Sequence, residues 1–173
     1  MRRLFGGLLV LGMTATLAGV PGVSMSAAGC STNWGSSPKG SRPLEGAYES
    51  LRTGRETCYD RLVLEAAGTI DNGYMIEYVD QVYRDGSGHL VPLRGGAKLR
   101  IFVAADGPPG PKDSPEMANV SGYTTFRQVA GAGWFEGQFT IGVGVRARLP
   151  FRVFTLPRDG GGTRLIIDVA HHW

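Results

Sequence analysis

Lys98-Leu99-Arg100-Ile101-Phe102-Val103-Ala104 (residues 98–104) puts Leu99, Ile101 and Val103 on one side of an extended chain and Arg100 and Phe102 on the other. A period of two over seven residues is the signature of a half-buried β-strand. Upstream, Tyr74 to Val79 alternates in the same way, directly after the turn signal Asp71-Asn72-Gly73. Asp85-Gly86-Ser87-Gly88 turns the chain into His89 to Leu93, and Arg61-Leu62-Val63-Leu64-Glu65 forms an aliphatic run that ends before Gly68. Downstream, four prolines and two glycines make Asp106 to Pro115 a long loop. Thr124–Val129, Trp134–Gly142, Val145–Leu149, Phe151–Leu156 and Arg164–Val169 complete the predicted strands. Pro150 marks an edge position or a bulge, and Asp159-Gly160-Gly161-Gly162 forms the last hairpin turn.

No window carries apolar residues at i, i+3, i+4 and i+7 over a helical length, and only Ser114 to Ala118 is a candidate for a short helix. About eight to ten short strands with regular turns predict an all-β chain, an antiparallel sandwich or partial barrel. One pattern recurs: Arg61-Leu62-Val63-Leu64-Glu65 matches Arg164-Leu165-Ile166-Ile167-Asp168, each with an Arg and, four residues on, an acid on the same strand face. Either buried strands simply look alike, or the first and last strands hold equivalent places in a pseudo-symmetric sandwich.

The N-terminal stretch reads as a secretory signal peptide over residues 1–28. Met1-Arg2-Arg3 is basic, Leu4 to Val20 is an uncharged apolar run, Pro21-Gly22 breaks it, and Ser24 to Ala28 is rich in the small residues a signal peptidase accepts. Two alternatives stay open: an uncleaved membrane anchor, and a degenerate lipobox, Ala27-Ala28-Gly29-Cys30, with Cys30 lipidated. The whole chain has 18 basic and 15 acidic residues. Removing the leader takes away two arginines and no acid, so the exported protein is nearly neutral and nucleic acid is not expected as a partner.

Export makes Cys30 and Cys58 a candidate disulfide, worth on the order of 3.5 kcal/mol in the chain-entropy model. Lipidation of Cys30 would forbid it. Residues 29–45 read as a flexible Gly-, Ser- and Pro-rich tail held at that one point, and residues 46–173 as the folded domain.

Catalytic signals are weak. His171 and His172 are adjacent and would point to opposite strand faces, His89 follows a turn, and no nucleophile or metal-binding motif is present. No metal or cofactor is expected. Asp60, Glu65, Asp80 and Asp168 lie on or beside strands, but each of Asp60, Asp80 and Asp168 has an Arg near it in sequence, so ion pairs are their expected use. Binding has better material. Arg146, Arg148 and Arg152 sit at near-alternating positions in a chain rich in sheet aromatics. An Arg row beside aromatic rings suits a carboxylated sugar or peptide polymer, and equally suits a solvated outer face protected from edge aggregation.

Cys58-Tyr59-Asp60-Arg61-Leu62-Val63-Leu64-Glu65, Tyr78-Val79-Asp80-Gln81-Val82, Asp85-Gly86-Ser87-Gly88 and Phe135-Glu136-Gly137 occur in order. Gly142-Val143-Gly144-Val145-Arg146, Pro150-Phe151-Arg152-Val153 and Arg164 to Val169 follow them. In these motifs the chain resembles, over about residues 46–173, the AMIN-like domain of exported bacterial proteins and lipoproteins. That family is similar to the AMIN domain attached to cell-wall amidases and type IV pilus secretins. The resemblance implies a small two-sheet β-sandwich that localises proteins in the envelope, with peptidoglycan as the ligand class and no catalysis.

The expectation is therefore a secreted or envelope protein that is not an enzyme and binds peptidoglycan or another envelope polymer. Asp60, Arg61, Tyr78, Asp80, Arg146, Arg148 and Arg152 are its candidate ligand face. The rivals are an envelope protein-docking domain that uses a sheet edge and a small acid-pair hydrolase. Membrane contact is expected only through a lipidated Cys30 or a retained leader.

Overall fold

A computed structural model describes residues 29–40, 46–68, 73–105 and 113–173. The signal-peptide reading, the lipobox positions before Gly29, Asp71-Asn72 and most of the proline-rich loop lie outside the described residues. Among the described residues eleven strands follow one another: β1 (Lys39–Gly40), β2 (Gly46–Arg55), β3 (Tyr59–Gly68), β4 (Tyr74–Val79), β5 (Val82–Tyr83) and β6 (Leu90–Val91). Then come β7 (Ala97–Ala104), β8 (Phe126–Phe135), β9 (Gln138–Val145), β10 (Phe151–Pro157) and β11 (Thr163–Ala170). They form a five-stranded sheet ordered β1-β4-β7-β9-β8, a four-stranded sheet ordered β10-β11-β3-β2, and the small β5-β6 ribbon. All pairings are antiparallel, and the two larger sheets close on each other as a β-sandwich.

The alternation in β7 faces the way its apolar residues demand: Leu99, Ile101 and Val103 are fully buried and Arg100 and Phe102 only partly. Leu62 and Leu64 of β3 pair with Ile167 and Leu165 of β11, so all four project into the same core from the opposite sheet. Phe126, Phe139 and Phe151 are the largest side chains sealed in it. Fully burying each aliphatic side chain of this core contributes roughly 1.5–3 kcal/mol.

Gly142 and Gly144 let a neighbouring segment lie against the outer face of the five-stranded sheet. A Cβ on Gly142 would meet Leu93 Cδ1 at 2.7 Å, and one on Gly144 would run into the Arg94 carbonyl oxygen. Over these glycines the β5-β6 ribbon packs Val82 and Val91 against Ala130 and Ala132, a second small core.

Several expectations are corrected. Strands predicted at Thr124–Val129 and Trp134–Gly142 are instead the long hairpin β8-β9, whose two-residue turn is Glu136 (φ 51°) and Gly137 (φ 76°). Gly131 and Gly133 look like strand breakers but sit at a register irregularity inside β8. The Ser114–Ala118 helix does not form; this segment is irregular and covers the β8 edge, with Met117 N–H donating to Val129 O and Gly131 N–H to Ser114 O. β2 escapes a reading from periodicity because it is an edge strand with polar residues on both sides and a bulge between Tyr48 and Ser50. Pro150 immediately precedes β10, an edge strand, as its missing donor requires.

The recurring pattern has a structural basis. β3 and β11 are antiparallel neighbours in register, Arg61 opposite Asp168 and Glu65 opposite Arg164, so each strand's Arg faces the other's acid across a local two-fold. The two strands hold equivalent places as the inner pair of the four-stranded sheet.

The predicted tail is also corrected over residues 29–40, because the disulfide Cys30–Cys58 is only one of its fastenings. Thr32 Oγ1 donates to His172 O, Gly35 O accepts the Phe151 N–H, and β1 pairs with β4. This strap covers the start of the β10 edge.

The β5-β6 turn holds a testable electrostatic feature. Asp85 Oδ1 accepts from Thr140 Oγ1 at 3.1 Å, while Oδ2 is buried without a hydrogen bond among the described residues. Burial pushes the Asp85 carboxyl above its ordinary 3.8, and the Thr140 hydrogen bond and the Arg100 charge offset this only in part. The folded chain therefore holds this proton to higher pH than the unfolded chain. Stability falls as pH rises from near 3.8 through the raised value and is level above it. Asp85→Asn, which keeps the acceptor and removes the charge, should raise the thermal midpoint at pH 7 by roughly 1–3 °C. The advantage should vanish at pH 3.5; an equal shift at both values would refute the charge argument.

Candidate functional site

The outer face of the four-stranded sheet carries a charged row fixed by strand register. Arg152 of β10 lies opposite Asp168 of β11, which lies opposite Arg61 of β3. Asp168 is fully buried and accepts from Arg61 Nε at 2.6 Å, Arg61 Nη2 at 2.8 Å and Arg152 Nε at 2.8 Å. One sequestered carboxylate thus orients two guanidinium groups. Its hydrogen bond holds Arg61 above the ordinary arginine value. The arginines are partly open, with 26% of the Arg61 side chain and 40% of the Arg152 side chain exposed.

Three rings enclose this row. The Arg152 guanidinium carbon lies 4.5 Å from the Trp34 ring centroid and 5.3 Å from those of Tyr59 and Phe154. Arg61 lies 5.1 Å from the Tyr59 ring, whose hydroxyl accepts from its Nη2. Trp34 comes from the strap and meets Tyr59 edge-on at 5.7 Å. The strap therefore supplies one wall, and the disulfide joins it to Cys58, the residue before Tyr59.

The other predicted residues divide. Arg146 and Arg148 do not share the Arg152 face, because the connector 146–150 turns the chain from one sheet to the other. Arg146 Nη2 donates to His171 O at 2.5 Å. Arg148 reaches Ser36 of the strap and lies 5.2 Å from the Tyr78 ring centroid, while its carbonyl accepts from the exposed Trp173 Nε1. The strap links the two groups, with Trp34 on Arg152 and Ser36 on Arg148.

Tyr78 ties β4 to the connector, its hydroxyl donating to Leu149 O at 2.9 Å and accepting from Leu149 N at 3.0 Å. Burial is the main cause that raises its phenol. Asp80 stands exposed at the bend after β4, and no contact among the described residues joins it to either group.

Asp60 is a correction. Strand alternation turns it opposite to Arg61, into the interior, where it is fully buried. Its Oδ2 accepts from Thr125 N–H at 2.6 Å and Phe126 N–H at 2.8 Å, and Oδ1 lies 3.0 Å from His171 Nε2. It fastens the sandwich and does not face a ligand. The acids and arginines also pair with residues distant in sequence: Glu65 takes Arg52 and Ser50 from the neighbouring strand, and Arg84 takes Asp113 from the connection between β7 and β8.

Residue-by-residue reading missed Trp34, Tyr59 and Phe154. Tyr59 lies within a motif, but nothing local marks Phe154 as outward, and Trp34 lies in a stretch that reads as a tail. A separate cleft of about 780 Å³ opens between Arg94 and residues 116–127. Its guanidinium groups are already engaged, Arg94 by Glu116 and the Arg127 carbonyl, Arg127 by the carbonyls of Tyr123, Thr124 and Phe126.

Among protein families, the AMIN-like domain matches residues 46–171, from the first residue of β2 to just past β11. No curated protein and no solved structure matches the chain.

Proposed function

The chain belongs to the AMIN-like domain family, and from that premise we propose that it is an exported, non-catalytic envelope protein that binds a wall polymer, peptidoglycan first. The observation that carries this reading is the Arg152–Asp168–Arg61 row under Trp34, Tyr59 and Phe154. Guanidinium groups pre-oriented by a buried acid lose little freedom on meeting an anion, and aromatic rings give sugar faces a flat apolar surface. The disulfide supports an extracytoplasmic setting. Three of the four acids of the hydrolase rival have other uses: Asp60 and Asp168 are buried and hydrogen-bonded, and Glu65 is paired with Arg52.

The test is co-sedimentation of the oxidised protein with insoluble peptidoglycan sacculi over a salt series. Saturable pelleting that weakens with salt and drops in Arg152→Ala, at unchanged thermal unfolding, is the expected result. No pelleting at low salt would discard the peptidoglycan reading.

A second reading has its own observation. The β8 edge is covered by residues 114–117 and the start of the β10 edge by Gly35, whereas no backbone bond beyond its β3 pairing reaches β2 among the described residues. β2 is thus a ten-residue edge open to strand addition by an envelope protein. Slowed amide exchange confined to β2 when an envelope extract is added would support docking there.

A further inference from the structure

The charged row is not fully satisfied by its own acid. Asp168 engages Nε of both arginines and Nη2 of Arg61, leaving Nη1 of Arg61 and both Nη atoms of Arg152 without a hydrogen bond among the described residues. With Nε bonded to Asp168, the two Nη atoms are the remaining edge of the Arg152 guanidinium, on a side chain that is 40% exposed. This is a planar pair of donors that matches the two oxygens of a carboxylate. Two cations against one buried anion leave an excess positive charge; the exposed Glu56 acts on Arg61, and among the described residues no acid other than Asp168 contacts Arg152. Trp34, Tyr59 and Phe154 stand around that donor pair, with Trp34 arriving from a different part of the chain.

Resting on the wall-polymer reading, we propose that strap and sheet together form one composite site for a carboxylate carried beside a sugar ring, with Arg152 holding the carboxylate and Trp34 and Tyr59 flanking the ring. Such a carboxylate has two sources: an acidic sugar, or the free carboxyl groups of a peptide borne by an amino-sugar strand. Arg61 and Asp168 are positioning residues, and Trp34 makes the site depend on the strap's attachment.

The experiment compares untreated sacculi with sacculi whose carboxyl groups are blocked as glycinamide amides, and titrates a soluble galacturonate trimer in parallel. Blocking should reduce apparent affinity about tenfold. Arg152→Ala should do the same on untreated sacculi, and Trp34→Ala, a surface change that leaves the disulfide intact, should weaken binding roughly fivefold. Trimer binding lost in Arg152→Ala identifies the acidic sugar as sufficient, whereas trimer silence with carboxyl-dependent pelleting identifies the peptide carboxyls. Undiminished pelleting on blocked sacculi, or by both variants, overturns the composite site and leaves wall binding standing. If untreated sacculi do not pellet the protein, wall binding fails. The trimer then decides the site: saturable binding lost in Arg152→Ala upholds it, and no binding overturns it.

Discussion

Asp60→Ala should destabilise the protein by about 3–5 kcal/mol, a large share of the roughly 5–15 kcal/mol that holds a domain folded. The substitution removes little apolar contact, so the loss comes from what it leaves behind. Thr125 and Phe126 would each keep a buried N–H with no acceptor, and His171 would lose the oxygen 3.0 Å from its Nε2. Each stranded buried group costs about 1–3 kcal/mol. Asp60 stands at the start of β3 and its amide donors at the start of β8, so this one carboxylate ties the four-stranded sheet to the five-stranded one. Denaturant titration should show a lower midpoint with little change in slope. Asp60→Asn, which can keep the oxygen that both amides share but puts an NH₂ in place of the oxygen facing His171 Nε2, should fall between wild type and alanine. A loss below about 1 kcal/mol for the alanine variant would mean that water or a shifted loop replaces the carboxylate, and the fastening role would be wrong.

Cys30→Ser/Cys58→Ser should be the next most damaging change. The bridge closes a loop of 28 residues, and its removal is expected to cost on the order of 3.5 kcal/mol, a fall in thermal midpoint of about 10 °C for a chain of this size. The damage should be local before it is global. The Thr32, Gly35 and β1 contacts remain, but each is a single hydrogen bond or a two-residue pairing, so residues 29–40 should exchange their amides faster while β3, β7 and β9 keep their protection. Fluorescence should report the freeing of Trp34 from Arg152 and Tyr59. A variant with wild-type stability and an unchanged strap would show that the noncovalent fastenings suffice. A sulfur held in this disulfide carries no lipid thioether, so the oxidised protein and one lipidated at Cys30 are exclusive species.

Much of the fold was legible because burial on one face of a strand leaves a period-two record. Leu99, Ile101 and Val103 mark their strand from seven residues, and Asp85 to Gly88 and Asp159 to Gly162 mark turns through residues suited to positive φ. β2 left no such record because an edge strand buries less of itself, and the Thr124–Val129 prediction stops short of Gly131 and Gly133, residues that suit an irregular strand as well as a turn.

The candidate site was only half legible. Alternation says that Asp60 and Arg61 point to opposite faces, but not which face is the interior; the apolar partners Leu62 and Leu64 decide it for Asp60, and only after the sheets close. Arg61 and Asp168 are 107 residues apart, and Asp60 and His171 are 111 apart. Their chemistry was visible one residue at a time while their partnership was not, because register is set by the packing of whole faces and leaves no local mark.

By itself, then, the sequence determined that this chain is all-β, that its two cysteines can close one loop, and that it holds arginines and aromatic residues in surplus over what a core needs. Tertiary structure alone decided which arginines share an acid, that Asp60 is a fastener, and that Trp34 stands over the charged row. The reason is physical: side-chain alternation is a property of a few consecutive residues, whereas strand neighbours and strap contacts are chosen by the free energy of the assembled sandwich.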